Sequence, residues 1–402
     1  MLFLYVIVLS PSLFGQGLEI EWERRYLAVP DTQLFSAFPF GIEPAEDGGF
    51  IIANHIKILH GQPFTRVFKV DREGEIIWEY VNLDNIAETH KSLVKLDNGI
   101  YVLLSQRSME NRIRNLELIF INDDGEEVDR RILLSDSNEW PFNLSRIDGN
   151  NLILIGRRSG SNGLVYKLDC NGNILETKTY AFGIGSVCQN SDESLLFVGH
   201  TNDREYGGNM ALFETDINLD SVRYDIYDLN RDIGAGKIRK KPNGNVVVAG
   251  FEYIRIRPNA AVSKIFLSEF NSDRELIWFH RYWDTLYGDD FNDLRILPDN
   301  RIAFAGSTNL DRRWRGLLML TDPEGNIIDS LLEWGDGWME FRKMLFTPEG
   351  DLYIAGVTKQ NFEDEVYYLT LQKIAYPTVV KAEGDVHPAE FGILSAFPNP
   401  FN

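Results

Sequence analysis

The chain is poor in the residues that usually announce a chemistry. It has two cysteines in 402 residues, Cys170 and Cys188, too few for a fold stapled by disulfides. Its six histidines, His55, His60, His90, His200, His280 and His387, include no His-x-x-x-His pair and have no cysteine partner, so the spacing of a zinc site is missing. No Gly-x-Ser-x-Gly occurs, which removes the nucleophile elbow. Positive charge is also scarce: 40 Lys plus Arg stand against 60 Asp plus Glu, a net charge of −20. An acidic surface repels phosphate backbones and anionic lipid heads, which argues against nucleic acid or a membrane surface as partner and for plain solubility. The glycine-rich run from Gly156 to Gly163 falls between two strands, where a phosphate-binding loop needs a following helix. Asp123-Asp124-Gly125 looks like a piece of a calcium loop but lacks the downstream glutamate. The expectation is a chain without metal or cofactor.

What is present is a large apolar content and a long period. Hydrophobic residues make up 44% and aromatic residues 12% of the chain, enough to bury a sizeable core. Seven times a turn signal precedes an apolar strand that often ends in Ala-Gly. The turns are Asp47-Gly48-Gly49, Asn98-Gly99, Asp148-Gly149, the weaker Ser191-Asp192-Glu193-Ser194, Asn243-Gly244, Asp299-Asn300 and Glu349-Gly350. Counted from Gly49, Gly99, Gly149, Glu193, Gly244, Asn300 and Gly350, the intervals are 50, 50, 44, 51, 56 and 50 residues. A period of this length made of short strands predicts an all-β, seven-bladed β-propeller with four antiparallel strands per blade.

Blade six shows the unit most clearly. An inner strand spans Phe291 to Leu297, a second Arg301 to Ala305, a third Gly316 to Leu320 and an outer one Asn326 to Leu332, with Ser307 to Arg315 read as a polar turn. Blade seven has inner, second and third strands at Phe341 to Phe346, Leu352 to Ala355 and Val366 to Ile374, and then no outer one. Leu18 to Tyr26 resembles an outer strand without a blade before it: Glu21-Trp22 echoes Glu75-Ile76-Ile77-Trp78 and Glu275-Leu276-Ile277-Trp278. The N-terminal strand is therefore expected to complete the last blade and close the ring, which removes two sheet edges; propellers as a class often close this way. The second-strand glycines (Gly156, Gly199, Gly250, Gly306, Gly356) are expected to let neighbouring blades approach, and Trp22, Trp78 and Trp278 to fill the wider gap at the rim. Cys170 and Cys188 fall on different blades and are expected as two separate buried thiols.

The ends carry signals of a different kind. Residues 1–15, with an apolar run from Leu2 to Leu9 and Ser10-Pro11, read as a secretory signal that lacks the usual basic start; once it is removed, no integral membrane segment is expected. The propeller takes 16–374, and 375–391 reads as a linker with Pro377, Gly384 and Pro388. Then follows Ile393-Leu394-Ser395-Ala396-Phe397-Pro398-Asn399-Pro400-Phe401-Asn402. This stretch closely resembles the opening of the type A C-terminal sorting domain of proteins exported by the type IX secretion system, an immunoglobulin-like β-sandwich. The start of the related domain of flagellar hook-capping proteins is similar. The resemblance covers about ten residues, so 392–402 is expected to be the truncated start of such a domain. It implies two export steps, the secretion machinery as partner, and release or attachment at the cell surface.

Candidate site residues gather at one mouth of the central channel. Glu139, Asp290 and Glu340 precede their markers by the same ten residues, near the entrance of an inner strand. Asp290 and Glu340, on adjacent blades, could act as acid and base, or hold a cation with Asp289 and Asp293. The next residue is aromatic or histidine in five blades (Phe40, His90, Trp140, Phe291, Phe341), so the pair also reads as part of the repeat. Trp338 and Arg342, with Trp283 and Tyr287 in the preceding loop, do not repeat and suit a sugar-binding cleft. The reading is an exported, non-catalytic propeller that binds or scaffolds an extracellular glycan or protein. The alternative is a carbohydrate-active hydrolase or lyase at the mouth near blades six and seven.

Overall fold

The computed structural model describes residues 17–376 except 28–33, 59–62, 84–91, 110–112, 148–150, 160–162, 202–207, 230–231, 258–259, 283–287, 311–312, 334–336 and 360–366. Residues 1–15, expected to be a secretory signal, the tail from Pro377 onward, Trp283, Tyr287 and the Asp148-Gly149 turn lie outside the described residues.

Those residues form 28 strands in seven four-stranded antiparallel sheets, the blades of a propeller. The inner strands are Leu34–Pro44, Ser92–Lys95, Glu139–Arg146, Gly183–Ser191, Asp232–Lys240, Asp289–Ile296 and Trp338–Phe346 for blades one to seven. Each touches the next around the ring, and the last touches the first. Closure is as the repeat requires. Glu19–Leu27 pairs with Tyr367–Ala375, the third strand of blade seven, as its outer strand. Blade four, whose turns are degenerate, still has four paired strands.

The core is divided into seven wedges between blades. Second and third strands are apolar on both faces, so each blade can bury one face against each neighbour. Tyr26, Ile42, Phe50, Phe68, Leu345, Leu369 and Leu371 form the wedge that welds blade seven to blade one. Outer strands are half exposed and alternate, as at Ile76–Asn82.

Beyond the wedges, neighbouring blades are tied at the rim by a tyrosine hydrogen bond. Tyr26, Tyr180, Tyr227 and Tyr282 each donate to a carbonyl in the third-strand turn of the next blade, at Gly74, Leu219, Arg274 and Gly325. All four acceptor residues have positive φ (83°, 67°, 65° and 84°). Leu219 and Arg274 hold this conformation without being glycine, a cost of roughly 1–2 kcal/mol each. Trp78 and Trp278 lie over the turn glycines Gly125 and Gly325 of the following blade, and the Trp78 indole donates to the Asp123 carbonyl at 2.8 Å.

Three expectations are corrected. Ser307 to Arg315 is mostly strand: Ile302–Leu310 and Arg313–Thr321 pair along this stretch. Its polarity misled because Ser307 and Thr308 are fully buried. The second-strand glycines serve their own blade. A Cβ on Gly156, Gly199, Gly250, Gly306 or Gly356 would come within 1.9–2.6 Å of an inner-strand carbonyl, that of Trp140, Gly183, Gly234, Asp290 or Glu340. Each stands where a β-bulge shifts the inner-strand register, and a bulge drives one backbone against the other. The two cysteines are free, as expected, but half-buried instead of buried; burial still pushes the Cys188 thiol up to about 12.

Candidate functional site

Among the described residues a bulge divides the inner strand into two ends in every blade but the second, and the candidate residues sort accordingly. Phe291, Phe341 and Pro141 sit opposite the glycines of their second strands, which fixes the alignment of the blades. One position earlier stand Asp290 in blade six and Glu340 in blade seven, but Trp140 in blade three, Phe38 in blade one, and Gly183 and Gly234 in blades four and five. The equal spacing of Glu139, Asp290 and Glu340 therefore does not make them equivalent. Glu139 aligns with Asp289, one residue out, and a one-residue slip in a strand turns the side chain to the other face. The turn after the third inner strand caused the miscount: Ile147 donates to Asn151 as Leu297 donates to Arg301, so Asn150, not Gly149, matches Asn300.

The two out-of-register carboxylates are structural. Glu139 is fully buried; its Oε1 accepts from Arg158 Nε at 2.9 Å and the Tyr166 hydroxyl at 2.8 Å. Asp289, also fully buried, accepts from Thr308 at 2.6 Å and from Lys264 of blade five at 3.4 Å. Trp140 lies half-buried beneath the Arg157 guanidinium, 5.0 Å from the ring centre. Asp293 lies past the bulge, at the other end of the strand, so it does not join Asp289 and Asp290. Among the described residues no cluster of three potential metal ligands exists.

Asp290 and Glu340 do come together electrostatically, with Arg342 between them. Burial raises the Glu340 carboxyl to about 7; Arg342 opposes this and Asp290 reinforces it. Asp290 is raised as well, by burial against the pull of Arg342. Arg342 pairs with Glu340 and stacks on Phe38 of blade one, 4.5 Å from the ring centre. Trp338 meets Phe38 and Tyr367 edge-on at 5.9 and 5.8 Å. Two tyrosines complete the group. Tyr367 has its hydroxyl pKa raised by burial and by Glu340. Tyr253 of blade five, reaching over Gly234, is raised by burial and by Asp290. The sequence reading missed Phe38, Tyr253 and Tyr367; for Tyr253 the signal was the glycine at 234, which leaves room for its ring. The mouth thus offers a glutamate raised to about 7, an aspartate raised in the same direction, a stacked guanidinium and aromatic walls, a surface able to exchange hydrogen bonds with hydroxyls and to stack on sugar rings.

No protein-family model matches the chain, and no curated protein sequence matches it. Solved structures do. A PL25 polysaccharide lyase, an ulvan lyase bound to -[GlcA(1-4)Rha3S]-, superposes with a TM-score of 0.56 at 8% identity, covering 86% of this chain and 95% of the other. The polysaccharide lyase Uly1 gives 0.55 at 12% identity, covering 84% and 90%. BBS1N, solved in complex with ARL6DN, gives 0.55 at 10% identity, covering 91% and 99%. At such identities the likeness establishes the propeller fold alone.

Proposed function

We propose that the protein is an exported, non-catalytic propeller, a binding or scaffolding module at the cell surface or outside the cell, whose ligand docks at the mouth formed by blades five, six, seven and one. The observation that carries this reading is that, among the described residues, carboxylates occupy the position before the bulge only in blades six and seven, while Phe38, Tyr253 and Tyr367 reach the same place from three further strands. What repeats around a propeller serves the ring; what does not repeat is free to serve a ligand. Propellers of similar shape hold a sulfated glycan in one case and a protein in another. The neighbouring carboxyls, both raised by burial, and the aromatic walls favour a glycan here. The secretory reading of residues 1–15 and the sorting-type tail support export through the type IX machinery.

A polysaccharide binding array on the purified chain tests the ligand. Binding that disappears in Asp290→Asn/Glu340→Gln, with an unchanged melting temperature, supports the proposal; an array without signal overturns the glycan reading. The second reading, a hydrolase or lyase, is favoured by one observation: Glu340 near 7 beside Asp290 is poised for proton transfer at neutral pH. It stands if the wild type releases new reducing ends or unsaturated products that the double variant does not.

A further inference from the structure

At the far ends of the inner strands, past the bulge, lies a separate cavity of about 400 Å³. In a protein of net charge −20 its wall is basic: six lysines and arginines line it against two carboxylates, Glu43 and Asp293. Four of the six, Lys237, Arg239, Arg295 and Lys343, are gathered on blades five to seven. At the first position past the bulge, or its counterpart in blade two, blades one to four carry Gly41, Ser92, Asn143 and Ser186, whereas blades five to seven carry Lys237, Asp293 and Lys343. Two residues on, Arg239 and Arg295 stand where blades two to four have Val94, Ser145 and Cys188.

Asp293 cannot neutralise this group. Its oxygens accept the backbone N–H groups of Leu294 and Met344, both at 3.0 Å, and pair with Arg295 at 3.4 Å and Arg239 at 3.8 Å. Arg295 is held in place by two further bonds to the Met344 carbonyl, at 3.0 and 2.7 Å. Lys237 and Lys343 are half-buried and make no hydrogen bond or ion pair with any described residue. Burial lowers both ammonium pKa values, Lys237 strongly, and the neighbouring cations lower them further against the pull of Asp293. Neither lysine stabilises the fold where it stands, since burying like charges without partners costs free energy. Opposite them Glu43, raised to about 7 by burial against Arg295, Arg146, Lys95 and Lys343, can keep a proton and donate it in a hydrogen bond. The arrangement of two fixed guanidiniums, two unbonded amines and a protonatable carboxyl around one open-mouthed cavity is complementary to several negative oxygens at once. The volume suits a small molecule.

We propose that this cavity binds a small oxyanion bearing two or more negative charges, of the polycarboxylate or phosphate class. The site is independent of the mouth that holds Asp290 and Glu340.

Titration calorimetry of the whole chain, with citrate and inorganic phosphate as probes in a zwitterionic buffer of low ionic strength, tests it. At least one probe is expected to bind one site per chain with a dissociation constant of about 1 mM or tighter, and to weaken as sodium chloride is added. Response to citrate alone assigns the polycarboxylate class, and response to phosphate alone the phosphate class. K237M/K343M is expected to bind at least about tenfold more weakly, while its unliganded melting temperature holds or rises because a repulsion has gone. K343M alone serves if the double variant folds poorly, and Glu340→Gln is expected to bind like the wild type, which keeps this result separate from the fate of the glycan reading. Absence of saturable heat with either probe up to about 10 mM, or unaltered binding by the lysine variants, overturns the proposal.

Discussion

The two ends of the channel are built from the same strands, yet they carry opposite charge problems. Before the bulge, Asp290 and Glu340 are carboxylates that burial pushes toward their neutral forms, with Asp290 adding to the push on Glu340. After it, Lys237 and Lys343 are amines pushed the same way, by burial and by neighbouring cations. Only two residues separate Asp290 from Asp293, or Glu340 from Lys343, and the extra residue of the bulge re-aims the side chains between them. The contrast with Asp289 is as instructive. It neighbours Asp290 in sequence but faces the wedge between blades, where Lys264 and Thr308 satisfy it. A buried charge with partners belongs to the scaffold; a crowded one without them is available to a ligand.

Asp289→Asn breaks a pair whose side chains are 0% and 2% exposed and is expected to cost about 4 kcal/mol, read by urea denaturation; a loss under about 1 kcal/mol would erase the contrast with Asp290. Gly306→Ala places a methyl against the Asp290 carbonyl, where the ideal Cβ stands 1.9 Å away, and is expected to cost about 3 kcal/mol. It should also spoil the carboxylate mouth while leaving citrate or phosphate binding at the other end intact.

The pH dependence of stability should have opposite sign for the raised glutamates, Glu340 at the mouth and Glu43 in the cavity, and for the cavity lysines Lys237 and Lys343. Glu340 holds its proton in the folded state up to about pH 7, so the folded chain binds more protons than the unfolded one between the ordinary glutamate pKa and 7. Its contribution to stability therefore falls as pH rises through that window, and Glu340→Gln should flatten the fall by up to about 3 kcal/mol. Glu43 adds a slope of the same sign. The lysines bind fewer protons folded than unfolded, so stability rises with pH as the unfolded amines approach their ordinary pKa, and K343M should remove part of that rise. Melting temperatures across pH 4 to 10, at about one-unit steps, separate the slopes. The smallest effect is Asp290→Asn, within about 0.5 kcal/mol of the wild type, because no hydrogen bond to a described residue is lost.

Most of the ring was legible in the residues. The turn glycines at 48, 99, 244 and 350 have the positive φ their turns demand, and the orphan strand around Trp22 found its place beside Tyr367–Ala375. Strand ends near Ser307 and Arg315 were not legible, because buried hydroxyls and a buried arginine look like loop residues in a sequence. Of the site, Asp290, Trp338, Glu340 and Arg342 were picked from the chain and come together, whereas Glu139 and Asp289 turned inward. Spacing counted from a turn marker cannot detect a one-residue slip, and in a strand one residue decides the face.

The basic cavity lay beyond the reach of the sequence for a related reason. Lys237, Arg239, Arg295 and Lys343 are scattered over a hundred residues of an acidic chain, and each in isolation reads as one more solvated charge. The order of apolar strands and glycine turns determined by itself that seven blades would form and that the N-terminal strand would close them, since hydrophobic period and turn chemistry are local. Which charges meet was decided only when the ring closed, because closure brings blades five, six, seven and one to a common axis, and electrostatics acts through space and not along the chain.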